Sequence, residues 1–69
     1  MKVYIVQEHV RYEGSEVLEV FRDKNSAMAF AKNQAELYAE KWSYPLLEIS
    51  WGFSVSDVVF DVSECDVIL

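Results

Sequence analysis

The stretch from Asp23 to Trp42 constrains this 69-residue chain most, because it alone carries a helical period and it splits the strand-like segments into two groups. Met28, Ala31, Ala35, Tyr38, Ala39 and Trp42 recur at steps of three and four, and Phe30 and Leu37 widen the stripe. That spacing places side chains on one face of a 3.6-residue helix. Lys32, Asn33, Glu36, Glu40 and Lys41 fall on the opposite, wet side, where the Lys residues offset the like-charged Glu36/Glu40 pair. Asp23 is the expected N-cap, since its carboxylate can accept from free amides two or three residues on and sits at the positive end of the helix dipole. Pro45 biases Tyr44 out of helical geometry, so the helix should stop near Trp42 or Ser43.

The flanking segments read as β. Lys2 to Val10 alternates Val3, Ile5, Gln7 and His9 with Tyr4, Val6, Glu8 and Val10. Arg11 to Ser15 is a turn in which Gly14 can take a positive φ, and Glu16 to Arg22 returns. In that hairpin Leu18 and Val20 are expected on one face, toward the helix, and Tyr4, Val6, Val17 and Phe21 on the other. Beyond the helix, Leu47, Ile49, Trp51, Phe53 and Val55 alternate with small and polar residues, which predicts one continuous strand, with Gly52 marking a bulge or a close approach of backbone. Ser56-Asp57 supplies a turn into a last strand carrying Val58, Phe60 and Val62, and Cys65, Val67 and Leu69 would extend it after a break at Ser63-Glu64. The predicted fold is one α+β domain over residues 1–69, in the order β-β-α-β-β, a mostly antiparallel sheet with one helix packed on one face.

A chain this short buries only about 60 % of its unfolded surface, so its stability should lean on help such as a partner. Two Trp, four Tyr and four Phe argue for a folded core. The single cysteine excludes an internal disulfide and a cysteine-based metal site, and no stretch has the length of a membrane span. With no signal-peptide pattern after Met1-Lys2, a cytoplasmic setting is expected.

Charge is uneven along the chain. Residues 1–41 hold seven acids and six bases, whereas Trp42 to Leu69 hold Glu48, Asp57, Asp61, Glu64 and Asp66 and no Lys or Arg. Such a segment repels phosphates and favours basic protein surfaces, which excludes direct nucleic-acid binding and leaves a nucleic-acid mimic open beside a plainly solvated face. As metal ligands these acids fail: Asp57 and Asp61 would stand roughly 13 Å apart on a strand, and a calcium loop's Gly and closing Glu are missing. His9 has Glu8 beside it in sequence but on the opposite strand face, and Cys65 has no basic neighbour, so no catalytic residue, metal or cofactor is expected. The candidate binding residues are Glu48, Asp57, Asp61, Glu64 and Asp66 for steering and rim contacts, with Tyr44, Trp51 and Phe53 as anchors where exposed. One helix hides only one sheet face, so apolar residues are left over for an interface with another protein or for a homodimer.

The runs Lys2-Val-Tyr-Ile-Val, Tyr12-Glu-Gly-Ser and Val17-Leu-Glu-Val-Phe21, the cap at Asp23 and Ala27 together resemble short bacteriophage and bacterial proteins whose N-terminal hairpin runs into a helix. The resemblance covers roughly residues 2 to 31; Glu19 stands where such sequences often have Gly, and nothing from Tyr44 onward takes part. It implies a phage origin and, by analogy with small acidic phage proteins, binding to and blocking of a host or defence protein.

Overall fold

The computed structural model describes residues 1–68. Its elements are β1 (Lys2–Val10), β2 (Gly14–Phe21), α1 (Lys24–Trp42), β3 (Leu46–Ile49), β4 (Gly52–Val55) and β5 (Val58–Asp66). The strands form one antiparallel sheet in the order β2-β1-β5-β4-β3, and α1 lies across one face of it. The α+β class and the antiparallel sheet under a single helix are those expected from the sequence.

The helix is set by its ends. Asp23 is extended (φ −124°, ψ 130°) and its Oδ2 accepts from the Ser26 N–H at 2.9 Å and from Ser26 Oγ at 3.0 Å. At the far end Ser43 takes the left-handed conformation (φ 57°) that Gly usually supplies, and the Tyr44 N–H donates to the Ala39 carbonyl. Ala27, Ala31 and Ala35 are fully buried. Their small side chains let the helix backbone sit close to the sheet, and Phe21 against Phe30 (5.4 Å) and Tyr38 against Phe60 (6.2 Å) fill the flanks. Phe60, Val6 and Val55 are the largest fully enclosed side chains, each contributing about 1.5–3 kcal/mol by its removal from water. Leu37 and Trp42, counted in the apolar stripe, are instead more than half exposed: they sit at the stripe's margins, beyond the reach of a five-stranded sheet.

The run from Leu47 to Val55 is not one strand. Ser50 and Trp51 make a tight turn, and β3 and β4 fold back on each other with Ile49 opposite Gly52. Reversal after two residues sends the halves of one alternating set to opposite faces. Phe53 and Val55 enter the core, whereas Leu47, opposite Ser54, points away from the helix. Gly52 is the close approach foreseen: a Cβ there would collide with the Phe60 carbonyl oxygen and stand 2.8 Å from Asp61 Cα.

The faces of the first hairpin also differ from expectation. The register shifts between Val6 and Gln7, which leaves Leu18 as the extra residue of a bulge and changes parity along β2. Tyr4, Val6 and Phe21 therefore face the helix together with Leu18, and Val17 and Val20 lie exposed on the far side. β5 runs unbroken to Asp66, since the β1 register from Lys2 to Tyr4 pairs residues 64 to 66 without interruption. Val67 follows it with its N–H on the Met1 carbonyl, and the predicted contribution of Leu69 lies outside the described residues.

Candidate functional site

The pairing of β1 with β5 rearranges the charge read along the chain. Lys2 Nζ lies 2.6 Å from Glu64 Oε1, His9 Nε2 2.7 Å from Asp61 Oδ2, and Arg11 Nη1 3.7 Å from Asp57 Oδ1. Three of the five C-terminal acids thus meet a base from the first strand or its turn, which sequence order alone does not disclose. Glu64, by hydrogen bond and by charge, with Asp66 behind it, holds the Lys2 ammonium above its ordinary 10.5. Lys2 and Glu64 are both solvated, so their pair orders the strand ends more than it stabilises them.

His9 and Asp61 form the most enclosed of these pairs. Their atoms are close but not aligned as a hydrogen bond, and His9 Nε2 and Asp61 Oδ1 are shut off from solvent without a hydrogen-bond partner among the described residues. Also among the described residues, no three His, Cys, Asp or Glu side chains group closely enough to hold a metal ion.

Of the expected anchors, Phe53 is a core residue, 6 % exposed, and is not available to a partner; its half of the alternating run faces the helix. Trp51, in the β3–β4 turn, is half-buried with Lys24 Nζ 4.1 Å above its ring, a cation–π contact that occupies one face of the indole. Tyr44 is 46 % exposed. Trp42, expected on the buried stripe of the helix, is also misplaced by sequence reasoning: it is exposed, its ring tilted at 51° to Tyr38 with Lys41 over it.

Trp42 and Tyr44 lie at one end of the sheet. The loop they bound leads into Leu46, whose row across the sheet runs through Val55, Val58 and Val10 to Gly14. The next row, also on the helix side, reads Glu48, Phe53, Phe60, Glu8 and Glu16, with Tyr38 resting on Phe60 in the middle. The C-terminal part of the helix is therefore flanked by carboxylates, Glu48 on one side and Glu8 with Glu16 on the other. Glu8 and Glu16 stand directly opposite each other and, with Glu13, line an open cleft of about 270 Å³. None of these three takes part in the ion pairs formed among the described residues. Like charges placed opposite on a strand pair oppose folding. The three acids lie within nine residues of sequence with Arg11 the only Lys or Arg among them, and the hairpin pairing is what sets Glu8 directly against Glu16.

A family model described as a domain of unknown function matches residues 1–68. No curated protein and no solved structure matches the chain. No helix among the described residues is long and apolar enough to cross a membrane.

Proposed function

The chain belongs to the family DUF7336, whose description assigns no activity, and we propose that it is a non-catalytic binding protein that receives a basic segment of another protein at the Trp42–Tyr44 end of its sheet. The observation that carries this reading is the row in which Glu48, Glu8 and Glu16 flank the helix end beside two half-exposed aromatic side chains. Aromatic anchors with a charged rim are the usual make-up of a protein interface, and the net charge of −6 steers a cationic partner toward it. A Lys or Arg side chain entering between Glu8 and Glu16 would relieve the repulsion that the free protein carries. On this reading Glu48 keeps the role expected from the sequence. Asp57, Asp61, Glu64 and Asp66 act mainly within the chain, beside Arg11, His9 and Lys2.

The class of partner is a further step of the same proposal: a host or anti-phage defence protein whose basic, nucleic-acid-binding surface this chain, as a cytoplasmic phage product, would occupy and block. Calorimetric titration with a Lys/Arg-rich peptide tests the site. Binding should weaken as salt rises, disappear in Glu8→Lys/Glu16→Lys and fall at least tenfold in Trp42→Ala. A peptide that binds the charge-reversed protein as well as the native one overturns the reading. Self-association through the second sheet face is the alternative, and it concerns a different surface.

A further inference from the structure

The two edges of the sheet are finished differently. β2 is interrupted by the bulge at Leu18, one of the devices that keep an edge from pairing with a passing strand. β3 has an unbroken register and holds no Lys or Pro, so its only guard is its length of four residues. Its outward groups follow from the pairing inside the sheet. The Trp51 carbonyl accepts from the Val62 N–H, so Trp51 and, by alternation, Phe53 and Val55 direct their backbone groups to β5. Gly52 and Ser54 then serve β3, where they meet Ile49 and Leu47. Leu46 and Glu48 alternate with those two and turn both N–H and C=O away from the sheet. Among the described residues no hydrogen bond is made to that outer row.

The side chains along this edge alternate in character. Leu47 and Ile49, 62 % and 40 % exposed, stand on the helix-free face. Glu48 stands on the helix side, exposed and outside the ion pairs formed among the described residues. We infer that β3 receives the basic partner as an added antiparallel strand, with a Lys or Arg opposite Glu48 and an apolar residue on each side of it. This deepens the basic-partner reading and rests on it for the sign of the partner's charge; what it adds is the partner's backbone conformation and its apolar-basic-apolar pattern.

Antiparallel is the sense of every other pair in the sheet. In that sense a residue directly opposite Glu48 shares its face and brings a cation to the carboxylate, while its neighbours stand opposite Leu47 and Ile49 on the other face. Main-chain hydrogen bonds to Leu46 and Glu48 hold the strand, and the side chains select it. A second copy of the chain is the poorer occupant. Two β3 edges laid antiparallel and overlapped over more than one residue bring Glu48 opposite its own counterpart or diagonally next to it, and like charges so placed repel. The contact is also separable from the Glu8–Glu16 pair. β1 and β2 lie three and four strands away, roughly 14 Å or more at strand spacing, which exceeds the screening length in physiological salt.

A blocked peptide with arginine at its centre and valine on either side, titrated into the full chain, should bind and protect the Glu48 amide from hydrogen exchange. N-methylation of the arginine removes the N–H that meets Glu48 and should weaken binding about tenfold. N-methylation of the valine that follows it, whose N–H points to solvent, should change binding by less than about threefold. Glu48→Lys should cost the arginine peptide about tenfold and admit a glutamate-centred peptide in its place. Binding that is equally sensitive to both methylations, or that leaves the Glu48 amide unprotected, overturns the inference. So does a peptide-free chain that sediments as a dimer with that amide already protected, which gives the edge to a second copy. A Lys/Arg-rich peptide that needs Glu8 and Glu16, with the valine-flanked peptide idle, overturns the edge and leaves the basic-partner reading standing. The valine-flanked peptide binding as described to Glu8→Lys/Glu16→Lys supports the edge whatever the fate of the cleft.

Discussion

His9 and Asp61 meet across the boundary between β1 and β5, with Nε2 2.7 Å from Oδ2, on a sheet face whose other strand positions carry no charged side chain. His9 stands opposite Val59 and Asp61 opposite Gln7, so the pair is a diagonal one that joins neighbouring rows. Both side chains are about one-third exposed, which screens the attraction. Asp61→Ala should therefore cost only about 1 kcal/mol in urea unfolding at fixed protein concentration. The double variant His9→Val/Asp61→Val should lie within about 0.5 kcal/mol of the native chain, because β-branched side chains suit a pleated surface and neither partner is left alone. A double variant as unstable as the sum of the single ones would show that the two residues do not act on each other.

The Lys2–Glu64 pair predicts an alkaline effect. Lys2 is raised in the folded chain relative to its ordinary 10.5, so whatever stability the pair contributes is fully present below that value and is lost as pH climbs through the higher, folded-state one. Glu64→Gln should flatten this alkaline limb and leave the neutral range nearly untouched. Chemical denaturation of both proteins from neutral pH upward checks it, and identical alkaline slopes would remove Glu64 as the cause.

The helix positions fully buried against the sheet are alanines, with Phe30 and Tyr38 packing at their flanks. Ala31 is fully buried midway between Ala27 and Ala35, so Ala31→Leu forces three more heavy atoms into packed space. The expected loss is about 1–3 kcal/mol. Leu37→Ala, on the exposed flank, should change stability by no more than about 0.5 kcal/mol. The contrast matters because the sequence places Leu37 in the apolar stripe. Equal losses at the two positions would mean that the helix is rotated from the orientation described.

How far the fold was legible depended on whether a signal is local. Asp23 and the Pro45 stop act within one helical turn, and both helix ends followed from them. The α+β order came from periods of 3.6 and two, which need no knowledge of pairing. Two local irregularities escaped. A turn at Ser50-Trp51 preserves the alternation of the letters while reversing the chain, so Leu47 and Phe53 look alike in sequence and lie on opposite faces. The bulge at Leu18 is invisible because its consequence, a change of parity, depends on where β1 pairs. The candidate site was less legible than the fold. Charge counted along the chain ignores that antiparallel pairing brings Lys2, His9 and Arg11 to Glu64, Asp61 and Asp57. The acidic row of Glu48, Glu8 and Glu16 is assembled from three strands, and no window of sequence contains it.

The two glycines separate two reasons for using that residue. Gly14 has a left-handed φ of 101° in open space, with nothing within 4 Å of where a Cβ would stand, so Gly14→Ala meets only the backbone penalty of about 1 kcal/mol. Gly52 is closed in by another strand. A methyl group there would overlap the Phe60 carbonyl oxygen and press on Asp61 Cα at 2.8 Å, and neither can yield without shifting β5, which carries Phe60 and Val62 in the core. Since the neighbour is backbone and not a flexible side chain, Gly52→Ala should cost about 3 kcal/mol or more, enough to leave a domain of this size largely unfolded or to pry β4 from β5. Hydrogen exchange distinguishes those outcomes: early loss of protection confined to the β4–β5 amides marks a separated strand, and loss throughout marks global unfolding. A Gly52→Ala variant as stable as Gly14→Ala would contradict the close pairing of β4 with β5.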